Sequence, residues 1–254
     1  MKKHIALFFV ISMALLLAAC NREDAVLSKA KTYQVTTEIH SLDIRINAAD
    51  FVIVHGDDFS VESNLKYLSV YEKDGVLNIV DEAPKTTSYA DAKLKLYLPS
   101  DIAFEEVEIV TGAAKLTVDS LSANSVELEL GAGNVNFENL NAYSEIDIEG
   151  GAGKITIAGG TLNDLTLRMG VGELNLTAAL LGKCDLEFGV GESNLTLVGS
   201  RDDYTLDIEK GIGSITVDGN NVSDYENSGT GNDRINIEGG VGTINLEFEE
   251  PDFI

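Results

Sequence analysis

The sequence predicts an all-β fold: a parallel β-solenoid (β-helix) of short strands with Gly-x-Gly corners and about 19–20 residues per coil. Three observations carry this. Glycines recur at 112, 131, 151, 170, 189, 211 and 240, in steps of 19, 20, 19, 19, 22 and 29, mostly within Gly-Ala-Gly or Gly-Val-Gly. With each of these as position zero, offsets −5, −3, +4 and +6 are apolar throughout except at Ser193, one residue of 28. The 44% apolar composition would supply only about twelve. Third, the apolar residues alternate with polar ones inside each segment, the period-2 signature of a half-buried strand.

The interval from −3 to +4 is seven. Side chains alternate faces along a strand, so an odd interval flips the inward parity, and a bend must lie between. Glycine permits the backbone conformations of a tight corner. Each repeat is therefore two strands joined by a glycine corner, and like positions of successive coils stack. An antiparallel meander or sandwich is the rival arrangement. Residues 32–105 have strand character (SLDIRI, FVIVHG, GVLNIV, AKLKLYLP) without the glycine template, and are expected to form opening coils or an N-terminal cap. Residues 106–254 hold the repeats. The 29-residue step contains GNNVSDYENSGTGND, expected as a protruding loop. Glu249-Glu250-Pro251-Asp252 is expected to blunt the last strand.

The N-terminus has different physics. Lys2 and Lys3 precede an apolar run of fifteen residues, Ile5–Ala19, too short to span a bilayer comfortably and suited to a secretory signal. The run ends in Leu17-Ala18-Ala19-Cys20, which resembles the lipobox of bacterial lipoproteins. That resemblance implies cleavage after residue 19, acylation (palmitate-type chains) on Cys20, and a lipid-anchored location on the extracytoplasmic face of the cell membrane, or the outer membrane in a two-membrane host. An ordinary signal beside a chance cysteine is the alternative. Residues 20–31 read as a lipidated tether. Cleavage removes Lys2 and Lys3, leaving 16 basic against 42 acidic residues, a formal charge of −26. So acidic a surface repels nucleic acid.

The run SLDIRINAADFVIV, then KLKLYLP, then repeated Gly-Ala-Gly and Gly-Val-Gly strands is similar to a bacterial β-strand-repeat family of unknown function labelled "putative adhesins", with relatives among GIN-type head domains. The resemblance covers residues 38–248 and implies a β-helical fold in the cell envelope. It carries no catalytic residues.

Catalytic and cofactor motifs fail on inspection. GAGKIT at Lys154 has Ile148 where a phosphate loop needs its first glycine, and Ile155 where it needs Ser or Thr. Calcium nonapeptides need an aspartate where Ile155 and Ile244 stand. Only His40 and His55 would survive processing, and no nucleophile turn is present. No enzyme activity, cofactor or metal centre is therefore expected. Cys184, in a −5 slot, reads as a small buried hydrophobe.

The outward positions are more telling. Offsets −4 and −2 carry Glu127, Glu129, Asp147, Glu149, Asp185, Glu187, Asp207 and Glu209, which stacking would align into acidic columns. Such a stripe is either a solvated surface that opposes aggregation or one that collects divalent cations weakly or docks a basic envelope polymer or protein. Offset +5 is a Thr/Asn ladder of Thr117, Asn136, Thr156, Asn175, Asn194, Thr216 and Asn245. The functional expectation is a non-catalytic, membrane-tethered envelope module that binds or adheres. The alternative is a regulatory or sensory lipoprotein acting on a membrane protein.

Overall fold

The computed structural model describes residues 27–84, 89–100, 102–223 and 225–250. The chain is all-β, with mostly parallel pairing. Its N-terminal strands are β1 (Leu27–Gln34), β2 (Ser41–Ile46), β3 (Asp50–His55), β4 (Ser60–Leu65), β5 (Leu68–Lys73), β6 (Val76–Asp81) and β7 (Lys93–Leu98). Long strands follow: β8 (Phe104–Val118), β9 (Leu121–Phe137), β10 (Leu140–Ile157), the short β11 (Thr161–Asn163), β12 (Leu165–Leu181) and β13 (Lys183–Val198). The C-terminal part holds β14 (Tyr204–Glu209), β15 (Ile212–Val217), β16 (Asn220–Val222), β17 (Tyr225–Gly229), β18 (Asp233–Glu238) and β19 (Val241–Glu249).

From β8 to β13 the long strands pair parallel with their neighbours, like offset on like offset: Ile109 on Leu128, Leu128 on Ile148, Ile148 on Leu167, Leu167 on Leu186. Each runs through its corner in unbroken register with only the pair at the first glycine missing from the ladder, so a single strand of 15–18 residues stands where two short ones were expected. The register the repeats predict is thus the register of the fold. Extended at both ends, the −3 column reads Ile79, Ile44, Ile109, Leu128, Ile148, Leu167, Leu186, Ile237, Ile208, and none exceeds 2% exposure. Stacking aliphatic on aliphatic removes these side chains from water, roughly 1.5–3 kcal/mol each. At the exception, Ser193, the buried side chain of Met169 and the partly buried ring of Phe188 line, with Ser193, a small open hollow of about 20 Å³.

The order of the rungs differs from the order of the sequence at both ends. At the start, the β2–β3 rung lies between β8 on one side and β6–β7 on the other. Residues 41–55 therefore carry the template, with Leu42, Ile44, Phe51 and Ile53 at its four offsets and Asn47 at position zero. At the far end, β13 pairs with β18–β19, and those pair with β14–β15. The glycine column accordingly runs 189, 240, 211.

Connection length explains the skip. Thr205 lies two rungs from Lys183, through Arg234, after 22 residues where one ordinary rung takes 19. The three additional residues, Arg201–Asp203, form a 3₁₀ turn with a reciprocal capping box between Ser200 and Asp203. At ~2 Å rise per residue the turn climbs about one strand spacing of ~4.8 Å.

Two expectations about the ends are corrected. The segment from 219 to 233 is not a free loop, since β16 and β17 fold back antiparallel on β15 and β14 and cover the outermost edge. Glu249 ends a strand paired on both sides, so it does not blunt the stack's outer edge. The N-terminal edge is covered likewise, by β5 on β6, β4 on β7 and β1 on β4. Unpaired strand edges are templates for aggregation, and both caps replace the edge of a repeat rung with antiparallel strands of eight residues or fewer. Leu27–Lys31, expected as the end of a tether, are the first residues of β1, where Leu27 packs against the core. Cys20 and the signal segment lie outside the described residues.

Candidate functional site

Two surface features arise directly from the repeat, a row of carboxylates and a ridge at the glycine corner. The row sits at offsets −4 and −2, which point away from the buried −5 and −3 side chains. In spatial order the −4 positions are Asp43, Glu108, Glu127, Asp147, Thr166, Asp185, Asn236 and Asp207. The −2 positions are Arg45, Val110, Glu129, Glu149, Arg168, Glu187, Glu238 and Glu209. Because β18 occupies the slot next to β13, Asn236 stands between Asp185 and Asp207, which the sequence order would have made neighbours. Basic groups interrupt the row. Arg168 lies 3.7 Å from Asp147, 3.8 Å from Glu149 and 3.6 Å from Glu187. Lys183 holds Asp185 at 2.8 Å, Arg234 holds Asp207 at 3.2 Å, and Arg45 bonds Glu108. These exposed pairs are each worth under ~1 kcal/mol.

The remaining tension falls on the middle rungs. Partial burial, then Glu108, Glu129 and Asp147, raises the pKa of Glu127 above the ordinary carboxylate value. Asp147 is raised by burial, opposed by Arg168 and reinforced by Glu149, and its Oδ1 is buried without a hydrogen-bond partner. Asp185 moves the other way, because Lys183 and Asn236 donate to its carboxylate. The signs give a pH profile. A raised group is protonated first in the folded state, so Glu127 and Asp147 add stability as pH falls from neutral into the carboxylate range. A lowered group loses its stabilisation as pH falls through its folded pKa, so Asp185 withdraws stability below that range. Urea midpoints at pH 7, 5 and 3 are expected to be highest at pH 5, and D147N is expected to flatten the rise from 7 to 5.

Among the described residues, no three of His, Cys, Asp and Glu converge on a point where one metal ion could be held. Nor does any helix there have the length and apolarity to cross a membrane. The thiol of Cys184 is fully buried and its pKa is pushed up to about 11 by that burial, as suits a small core residue. On the +5 row the amide ladder forms at the C-terminal end. Asn194 donates to Asn175 (3.0 Å), Asn245 to Asn194 (2.9 Å), and the Thr216 hydroxyl to Asn245 (2.9 Å). Their spatial order follows the rearranged rungs.

The ridge was not foreseen. At each full corner the first glycine approaches the backbone below, and a Cβ on Gly131, Gly151 or Gly189 would lie 2.1–2.3 Å from a carbonyl oxygen. The second glycine is held near φ +145° in most rungs, a conformation essentially reserved for glycine. With both neighbours lacking side chains, the residue between them projects outward. Ala132 and Ala152 are followed in space by Val171, Val190, Val241 and Ile212, each paired with the next. The last four are 55%, 50%, 47% and 75% exposed and form a contiguous aliphatic edge. The sequence signal was the rise in size of the middle residue from Ala to Val and Ile along the repeat.

No curated protein matches the chain. Among solved structures, a "putative adhesin" from Bacteroides fragilis is 15% identical, with a TM-score of 0.53, covering 86% of this chain and 98% of its own. A "putative adhesin" from Parabacteroides distasonis is 16% identical, with a TM-score of 0.47, covering 89% and 98%. A "putative cell adhesion protein" from Clostridium sporogenes is 18% identical, with a TM-score of 0.36, covering 87% and 99%. At these identities the Bacteroides structure speaks to the fold alone. The profile of the Toastrack DUF4097 family matches residues 37–247, nearly the whole stack and the caps apart from β1, and the chain belongs to that family.

Proposed function

We propose that this protein is a non-catalytic, lipid-anchored β-solenoid of the cell envelope that binds or adheres through its repeat faces. The observation that carries the reading is the aliphatic ridge Val171–Val190–Val241–Ile212, a contiguous exposed apolar edge of the kind that marks contact sites. The acidic row lies on the strand before the corner, so a partner covering both would present an apolar strip beside basic groups. The regulatory alternative, a lipoprotein acting on a membrane protein, uses the same surface on a different partner.

The test compares the mature chain with V190D and I212D, at positions 50% and 75% exposed where the fold is expected to tolerate a charge. Binding to whole cells or envelope glycans is expected to fall at least tenfold in each variant, with an unchanged melting temperature. Binding that persists in both variants removes the ridge from the reading. A single stoichiometric membrane partner captured by crosslinking, with no binding to cells or glycans, decides for regulation. For the anchor, C20S is expected to move the protein from the detergent phase to the aqueous phase in a temperature-induced partition.

Spread one or two to a rung, with Arg168 among them, the carboxylates attract cations diffusely. The melting midpoint is expected to rise equally in millimolar calcium and in sodium chloride of matched ionic strength. A rise specific to calcium assigns coordination instead.

A further inference from the structure

The rearranged order at the C-terminal end implies a sequence of events. Residues 204–217 are made before residues 233–249, yet they end one rung further from β13. Both segments carry the same template: Leu206, Ile208, Ile215 and Val217 in one, Ile235, Ile237, Ile244 and Leu246 in the other. Before the later segment exists, β13 is the exposed growing edge of the stack, and the matching strands downstream are β14 and β15; in a refolding full chain they also reach β13 first, because Thr205 follows Lys183 by 22 residues and Arg234 follows it by 51. Placed directly on β13, Leu206 would cover Cys184, Ile208 Leu186, and Val217 Leu195, with Thr216 beside Asn194. One ordinary rung needs 19 residues, and 22 are present, so Arg201–Asp203 are slack in that arrangement.

We infer that β14–β15 first stack directly on β13, and that the C-terminal segment, Asp233–Glu249, then inserts beneath them and moves them out by one rung. Insertion adds a whole buried rung, pairs both edges of the entering strands and takes up the slack residues as the 3₁₀ turn. The N-terminal end requires no such displacement, because β2–β3 are made first and then covered on either side. The C-terminal segment is therefore a latch that closes the stack last.

Cysteine pairs on exposed −2 positions report the rungs. Neighbouring rungs lie ~4.8 Å apart, within disulfide reach, whereas two rungs, ~9.6 Å, are beyond it. In a chain carrying C20S and C184V, E187C/E209C reports the early arrangement and E187C/E238C the final one. E149C/E187C, two rungs apart throughout, sets the background. During refolding from urea with short oxidising pulses, E187C/E209C is expected to rise several-fold above background and then fall back as E187C/E238C grows. If E187C/E209C never exceeds background, the inference is overturned. The unmodified protein gives an independent reading by pulsed hydrogen exchange. Amides of Tyr204–Glu209 are expected to gain protection before those of Asp233–Glu238, and simultaneous or reversed protection overturns it as well.

Discussion

G191A is expected to lower stability by more than ~3 kcal/mol, and by roughly 10 °C or more in melting temperature. Two costs coincide at this residue. Its φ of +149° lies where residues with a Cβ are strained, and a Cβ there would sit 1.7 Å from the carbonyl oxygen of Gly172 on the rung below. The contact is backbone to backbone, so no side chain can swing away, and relief requires the rungs to separate at the corner. Glycine 219 provides the comparison. It too has positive φ, +73°, but nothing lies within 4 Å of a Cβ placed on it, so G219A should cost only about 1–2 kcal/mol. Chemical denaturation of the two variants separates strain alone from strain plus collision. Equal losses in both would show that the close rung-to-rung approach does not govern the corner.

Y204A is expected to cost about 3–5 kcal/mol, the range for emptying a large aromatic site. Among the described residues Tyr204 is the largest fully buried side chain, and it stands where the chain steps over the inserted rung. Its hydroxyl donates to Val198 O at 3.1 Å, and its ring meets that of Phe248 on the inserted strand at 5.6 Å between centroids. It thus ties the end of β13 to the start of β14 and to β19 together. Burial pushes its phenol pKa up to about 12, so it stays a neutral donor at every pH where the protein is handled. Y204F keeps the ring and removes only the hydroxyl, so about 1 kcal/mol is expected. Hydrogen exchange should place the damage: in Y204A, amides of β14, β15, β18 and β19 exchange faster while those of β9 and β10 do not. Uniform acceleration along the chain would mean that the last rungs are not a separable unit.

The residues themselves show why register was legible and order was not. Register follows from local facts, since a one-residue slip would turn Leu128 or Leu167 to solvent and expose the whole inner face. Order has no such local marker. Ile208 and Ile237 fit over Leu186 equally well, and only the three residues Arg201–Asp203 distinguish a chain that steps over a rung from one that does not. The early rung went unrecognised for a related reason. Corner glycines are required by the carbonyl of the rung beneath, but beneath Asn47 lie Asp81 and Ala83, at and just past the end of β6. Its amide fills that space and donates to the carbonyls of Asp81 and Ala83. A position that elsewhere demands glycine thus holds a polar side chain, and the template loses its most visible letter.

The candidate surfaces divide in the same way. Alternation determined that Glu127, Glu129, Asp147 and Glu149 face outward, and repetition determined that they align. Placement of Asn236 beside Asp185, and the reach of Arg168 to three carboxylates, depended on which strands became neighbours. From the sequence alone came the all-β class, the inward and outward faces and the pairing register, because each rests on side-chain alternation and on glycine's lack of a Cβ. Tertiary structure alone decided the order of the outer rungs, the antiparallel caps and the order in which the ridge residues join. Those depend on how far a connection reaches and on what the backbone below a residue leaves open, and neither is encoded in a repeating pattern.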